Sequence, residues 1–517
     1  NSDSTAQTVT ITVTGTNDRP EILAITDSAA LTEADGAAQL TATGDITWTD
    51  LDITDAVILS PTYNGDIAWS AGDINAQLSQ EQLTALTTNA FSITGGAQDG
   101  WQYSAAQNLD FLREGETITL SFDVIATDNS SQTNNTSDPA QTVTVTITGD
   151  NDAPVITSAI DDFGFTEALN AAAQTLSDTG ELTFTDLDAT DRIEVSSAVS
   201  SPATWSNGVL TPELATALEA GFSIDASDLE VPGSVTWTYS VPAANLDFLA
   251  NNETLSLTYT VSVTDSANVT VTDDVVLTIT GTNDAPTVAA ISSTKSEDDS
   301  SYVINLLTDA NAADPDFSDS LSVTDYSASG VDQSNTAITI PNGALTLNGA
   351  QLTVDPTAFD DLALNESVTL TINYNVNDGT TTTANTATIT ITGANDAPIV
   401  AAINTSTSED AAPYTLNLLS TSSDPDSSNA LSIENYSASA VDGNGQGITI
   451  PDGALSINGA QLTVDPNSFN HLADGESVVI TVQCDVSDGI TATPNTATIT
   501  ITGANDAPVI TTGLVIG

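Results

Sequence analysis

Residues 254–264 read TLSLTYTVSVT, and a little further along residues 280–286 read TGTNDAP. In the first stretch Leu257, Tyr259, Val261 and Val263 alternate with polar residues, the period of two that sends successive side chains to opposite faces of a β-strand. In the second, Gly281 frees the backbone, while Pro286 stiffens the exit and forbids further ladder pairing. Both signals recur along the chain. The alternation returns at Leu120, Phe122 and Val124, at Leu370, Ile372, Tyr374 and Val376, and at Ile480, Val482, Cys484 and Val486. The phrase returns as TGTNDRP ending at Pro20, TGDNDAP at Pro154, and TGANDAP at Pro398 and Pro508. Its Asp residues, Asp18, Asp152, Asp284, Asp396 and Asp506, are spaced 134, 132, 112 and 110 residues apart.

Repetition at this period defines four repeats, 19–152, 153–284, 285–396 and 397–506. Residues 1–18, with the alternating run TVTITVT, read as the last strand of a preceding repeat, and residues 507–517 as the start of a following one. Thr, Val and Ile fill the alternating runs, and Gly, Asn, Asp and Pro separate them, which is strand and turn chemistry. Each repeat has room for about seven strands, the count of an immunoglobulin-like sandwich. The stretch QEQLTALTTNAF at 80–91 is expected to form a short helix that leaves the all-β class unchanged.

Charge narrows the function. Across 517 residues, 4 Lys plus Arg face 70 Asp plus Glu, a formal net charge of −66. Neutralising phosphates needs clustered bases, and Arg19, Arg113, Arg192 and Lys295 are scattered, so neither nucleic acid nor an anionic membrane surface is a partner. So dense a negative charge repels itself unless cations accompany it. A 39% hydrophobic share with 31 Gly is globular rather than disordered, and no run approaches the ~18 apolar residues of a membrane span. One Cys gives no disulfide framework, and one His gives no His-based metal cluster. With no Met anywhere, the chain reads as a piece of a longer protein.

Four acidic positions keep register with the linker Asp. The first is a Glu after Thr or Ser: Glu33, Glu167, Glu297 and Glu409. The second is an Asp-x-Asp pair: Asp50 and Asp52, Asp186 and Asp188, Asp314 and Asp316, Asp424 and Asp426. The third is Glu116, Glu253, Glu366 and Glu476, and the fourth is Asp128, Asp265, Asp378 and Asp488, twelve residues after the third in all four repeats. On an extended chain, residues i and i+2 face the same way, so the two carboxylates of each pair converge unless a cation lies between them. Hard oxygen donors without His or Cys select Ca²⁺, which takes six to eight of them.

The TGTNDAP phrase, the early Thr-Glu, the TDLD pair and the closing TVTVTITG strand resemble the VCBS repeats of giant, type I-secreted (RTX-type) bacterial surface adhesins. The third and fourth repeats resemble the bacterial cadherin-like repeats of the same proteins. The resemblance implies an all-β tandem array of four immunoglobulin/cadherin-like β-sandwich domains forming an elongated rod, with calcium in the linkers. In that family the leading repeat supplies the early Glu, the mid-repeat Glu and the linker, and the following repeat supplies the Asp-x-Asp pair and the later Asp. Carried over, the first complete junction uses Glu33, Glu116, Asn151 and Asp152 with Asp186, Asp188 and Asp265. The next uses Glu167, Glu253, Asn283 and Asp284 with Asp314, Asp316 and Asp378, and the third uses Glu297, Glu366, Asn395 and Asp396 with Asp424, Asp426 and Asp488. Asn17 and Asp18 with Asp50, Asp52 and Asp128 form a partial set, as do Asn505 and Asp506 with Glu409 and Glu476. The cadherin linker opens with Asp where this chain has Gly, and its mid-repeat Asp-Arg-Glu is reduced to Glu. Fewer ions per junction than in cadherins are therefore expected, with Asp150 able to compensate at one junction.

Acids outside these positions read as a solubilising coat. Cys484 lies in the inward phase of its strand and reads as core, as do Trp48, Trp101, Trp205 and Trp237, all in the first two repeats. His471 aligns with Asp361, and no nucleophile recurs near it, so no enzyme is expected. The expectation is a calcium-rigidified extender of a cell-surface adhesin, extracellular, serving cell adhesion and biofilm formation. Its partners would be its own neighbouring repeats through calcium, with surface glycans or proteins bound by domains outside this chain. Two rivals remain: a glycan- or partner-binding module carried by one of the longer repeats, and a filament subunit that donates its TVTITVT strand to a neighbour.

Overall fold

The computed structural model describes residues 5–95, 99–131, 133–137, 139–169 and 172–508. Strands hold 51% of the chain and helices 5%, so the protein is all-β. It divides into two compact units, residues 1–282 and 283–517, and each contains two separate hydrophobic cores.

In the first unit, one core lies between two four-stranded sheets and packs Trp101, Tyr103 and Phe122, all fully buried. The other lies between a five-stranded and a four-stranded sheet around Phe184, Tyr239 and Tyr259. Both cores of the second unit sit between a five-stranded and a three-stranded sheet. The greater length of the first two repeats is accounted for in part by a helix in each, Gln80–Leu86 and Pro212–Glu219. The former is the short helix expected within residues 80–91, and Ser79 starts it with a capping box. Core tyrosines pin both helices, Tyr103 donating to the Leu86 carbonyl and Tyr239 to that of Leu218. The shorter repeats carry a 3₁₀ turn instead, Pro356–Phe359 and Pro466–Phe469.

One arrangement is common to all four and positions the acids. The closing strand of each repeat, such as Thr382–Thr392, lies between an early strand that runs parallel to it and a central strand that runs antiparallel. Thr392 therefore sits between Ser296 and Ser367, and Thr148, Thr280 and Thr502 are placed in the same way. The next residue along the early strand is the first-series Glu, and the residue just before the central strand is the third-series Glu. Sheet register alone thus brackets each linker with two glutamates. The central strand spans eleven residues in every repeat, for example Thr254–Thr264, with Glu253 before it and Asp265 after it. At 3.3–3.4 Å per residue, twelve residues separate those two acids by about 40 Å. They belong to opposite ends of one sandwich, and hence to successive linkers.

Residues 8–14 pair with no strand among the described residues, and Val9, Ile11 and Val13 are 81–88% exposed. Two sequence expectations need correction. At four of the five linkers the Gly is needed for space rather than for flexibility; a Cβ on Gly15 would meet nothing within 4 Å. A Cβ on Gly393 would lie 2.2 Å from the Ala363 carbonyl oxygen, and Gly149, Gly281 and Gly503 meet equivalent carbonyls at 2.2–2.4 Å. The Asp-x-Asp pairs lie in turns outside the strands. The proposed opening of a following repeat falls, from residue 509 onward, outside the described residues.

Cys484 is buried in the fourth core, and Trp101 and Trp237 are buried in theirs. Trp48 is half-buried and donates to Asp99 at 2.8 Å.

Candidate metal centre

At four linkers the same three hydrogen bonds recur. The linker Asn amide donates to the fourth-series Asp: Asn17 to Asp128 at 3.1 Å, Asn151 to Asp265 at 3.0 Å, Asn283 to Asp378 at 3.2 Å and Asn395 to Asp488 at 3.0 Å. The linker Asp N–H donates to the second Asp of the pair: Asp18 to Asp52, Asp152 to Asp188, Asp284 to Asp316 and Asp396 to Asp426, at 2.7–3.1 Å. That second Asp then donates its own N–H to the first, at 2.9 Å from Asp52 to Asp50 and at 3.0–3.1 Å for Asp188 to Asp186, Asp316 to Asp314 and Asp426 to Asp424. Each pair is thus an Asx turn, and the turn rather than strand pleating brings its carboxylates together.

The first-series Glu grips the linker from the other side. Glu297 accepts the N–H groups of Ala394 at 2.6 Å and Leu362 at 3.2 Å, and Glu409 accepts those of Ala504 at 2.8 Å and Leu472 at 3.0 Å. Glu167 accepts the Thr282 N–H at 2.9 Å, and Glu33 accepts that of Asp150. Third-series glutamates hold the linker through their backbone, each carbonyl accepting the linker Gly N–H at 2.9 Å. Their carboxylates are engaged within their own repeats, except that Glu116 also accepts from the Thr190 hydroxyl of the next repeat. Glu116 accepts from the Trp69 indole at 3.0 Å, Glu253 accepts from Trp205 at 2.9 Å and Asn207 at 2.7 Å, and Glu366 and Glu476 accept from Ala363 and Ala473 N–H groups. Asn505 and Asp506 are exposed.

Within the first unit, carboxylate oxygens of Glu33, Asp110 and Asp152 all lie within 4.8 Å of one another, and so do those of Asp186, Asp191 and Asp265. Within the second unit, Glu297, Asp396 and Asp426 gather in the same way, as do Asp298, Asp360 and Asp396. Ca–O bonds of 2.3–2.6 Å put two oxygens on one calcium at most about 5 Å apart, so these spacings suit a shared ion. Without one, two carboxylate charges this close repel by about 3 kcal/mol or more at an effective dielectric of about 20.

Burial sharpens the conflict. Asp188, Glu297, Asp316 and Asp426 are at most 1% exposed. Among the described residues, Glu33 Oε2, Asp152 Oδ2, Asp186 Oδ2, Asp188 Oδ1, Asp316 Oδ1, Asp396 Oδ2 and Asp426 Oδ1 meet no protein hydrogen-bond donor. The same holds for the side-chain oxygens of linker residues Asn151 and Asn395. Desolvation, with neighbouring carboxylates adding to it, pushes Asp188 up to about 8, Glu33, Glu297 and Asp316 to about 7, and Asp186 to about 6. Asp488 goes the other way: burial opposes its charge, but donors from Ile490, Thr491 and Asn395 outweigh it and hold the carboxyl at about 2. A donor set made of carboxylate and amide oxygens, buried, converging and short of partners, fits Ca²⁺.

Four members of these groups escaped the sequence reading: Asp110, Asp191, Asp298 and Asp360. Three left a signal in the spacing. Asp110 and Asp360 each precede their third-series Glu by six residues, and Asp191 follows Asp188 by three, as Asp55 follows Asp52 and Asp319 follows Asp316.

Residues 395–502, which contain the fourth core, match a family model described as a bacterial Ig domain. Among solved structures, the chain is similar to extracellular cadherin domains 1–5 of protocadherin gamma B2, at 14% identity and TM-score 0.36, over 95% of this chain and 82% of that one. It is also similar to the human desmocollin-1 ectodomain, at 15% identity and TM-score 0.26 over 92% and 80%, and to mouse cadherin-23 EC22–24, at 15% and 0.29 over 69% and 100%. No curated protein matches the chain.

Proposed function

We propose that this chain is a calcium-rigidified extender segment of a large extracellular bacterial adhesin, a spacer that holds a distal binding domain away from the cell for adhesion and biofilm formation. The observation that carries the reading is the set of buried linker carboxylates whose second oxygens meet no protein donor. In water such groups would be solvated, and in a dry interior they would be protonated or removed. Keeping them ionised at neutral pH requires a cation, and oxygens alone select a hard one. Glu33, Asp110 and Asp152, with Asp186, Asp188, Asp191 and Asp265, would hold it in the first unit; Glu297, Asp360, Asp396 and Asp426 would hold it in the second. The ion's contribution is charge neutralisation and cross-linking, and the residues fix the linker to both of its neighbours. Tandem immunoglobulin-type sandwiches and the bacterial Ig match agree with an extracellular spacer.

Small-angle scattering of the chain in calcium and then in excess chelator, at constant ionic strength, tests this. A long stiff particle that shortens or becomes flexible on chelation is the expected result. A scattering profile and melting temperature indifferent to chelator would leave the acids as a solubilising coat.

A further inference from the structure

The basic residue Arg113 lies within an acidic centre. Its Nε stands 3.9 Å from Glu116 Oε1, within the first repeat, and 3.7 Å from Asp191 Oδ1, which belongs to the second. Glu116 and Asp191 are buried and Arg113 is partly so, with its side chain 38% exposed. Beside this pair the Thr190 hydroxyl donates to Glu116, and the Ala189 N–H donates to the Phe111 carbonyl at 3.2 Å.

The second unit allows an internal comparison. Its corresponding backbone bond is present, Ser427 N–H to the Asp361 carbonyl at 3.2 Å. By the same spacings, however, Ala363 stands where Arg113 does and Asn429 where Asp191 does. The Asn429 amide turns back to Asp426 of its own repeat at 2.8 Å. Cation and anion are thus present together in one place and absent together in the other.

We propose that Arg113 is a built-in cation clamp. Its guanidinium bridges Glu116 and Asp191 and keeps the first and second repeats in contact when divalent metal is withdrawn, whereas the third and fourth repeats have no such bridge. A guanidinium suits the role because it cannot lose its charge and its planar fork can face two carboxylates at once. The inference goes beyond the calcium reading and requires only the ion pair. It makes the two units respond differently to the same chelator.

Double electron–electron resonance on the whole chain tests it, with spin labels at Thr41 and Ser200 in one sample and at Thr346 and Ser456 in another, both on a Cys484→Ala background. In chelator the first distance distribution should stay narrow while the second broadens. Arg113→Ala should raise the open fraction of the first pair about five- to tenfold, as loss of one partly buried charge pair predicts. In an Asp191→Asn background Arg113→Ala should have little further effect, since both substitutions remove one interaction. Arg113→Lys should recover part of the narrow distribution. A first distribution in Arg113→Ala identical to wild type in chelator, or additive effects of the two substitutions, would overturn the clamp. Indifference of the wild-type second pair to chelator would instead count against calcium and leave the Arg113 comparison readable.

Discussion

Asp188→Asn should change the sign of its effect with calcium. Asp188 is fully buried, its Oδ2 accepts the Asp152 N–H at 3.0 Å, and its Oδ1 meets no protein donor. An asparagine keeps the acceptor and the shape while removing the charge. Burial first, then Asp186, Asp191 and Asp152, push this carboxyl from 3.8 to about 8. At neutral pH that corresponds to an upper limit of about 4 kcal/mol against the calcium-free fold, and about 2–3 kcal/mol once solvent screening at a domain margin is allowed for. In chelator the substitution should therefore raise the melting temperature of the second repeat by about 5–15 °C. In calcium it removes one anionic ligand, so affinity should fall about tenfold or more and the melting temperature should drop. Trp205 and Trp237 lie in this repeat, so intrinsic fluorescence follows its unfolding once Trp48, Trp69 and Trp101 of the first repeat are replaced by Phe in both proteins compared. A shift of the same sign in both conditions would refute the reasoning, because a merely structural Asp188 has no reason to reverse.

The remaining predictions concern pH, the linker and the indole. Asp188, Glu33, Glu297, Asp316 and Asp186 all have folded values above the ordinary carboxylate range. The calcium-free fold binds more protons than the unfolded chain, so its stability is full below about pH 4 for these groups and is lost as pH rises through about 6 to 8. Chelated protein should then melt higher at mildly acidic pH than at mildly alkaline pH, and calcium should reverse the order. Asp488 contributes oppositely, losing its share only as pH falls toward about 2. Gly393→Ala forces a Cβ to 2.2 Å from the Ala363 carbonyl and should cost about 2–4 kcal/mol in urea unfolding of the second unit. Trp69→Phe deletes the 3.0 Å bond to the buried Glu116 carboxylate and should cost about 1.5–3 kcal/mol in the first repeat, whether or not calcium is present.

Much of this architecture was legible because it repeats. Alternation at Leu257, Tyr259, Val261 and Val263 names a strand wherever it occurs, and five copies of one linker phrase divide the chain without any knowledge of contacts. Asp110 and Asp360 were harder to see. They stand in turns outside any alternating run, and the equivalent place in the fourth repeat holds Asn470, so no acidic pattern runs through all four. The Trp69 and Glu116 bond joins residues 47 apart, and no local rule announces which indole a buried carboxylate will meet. The linker Gly was misread because flexibility and close packing both select glycine. Only the carbonyls it faces tell them apart.

The constant twelve-residue interval has a physical cause that the changing repeat length does not share. Glu253 and Asp265 bracket one central strand, paired residue for residue with the closing strand from Thr254 opposite Thr280 to Thr264 opposite Thr270. One residue inserted between them would turn every following side chain to the other face, moving Val261 and Val263 out of the core and Asp265 away from the Asn151 amide that now donates to it at 3.0 Å. The helix Pro212–Glu219 lies outside that ladder, so residues can be gained or lost there without displacing either acid. An eleven-residue strand thus sets the distance between Glu253 and Asp265 at about 40 Å, and one uninterrupted element places an acid at each end of the repeat.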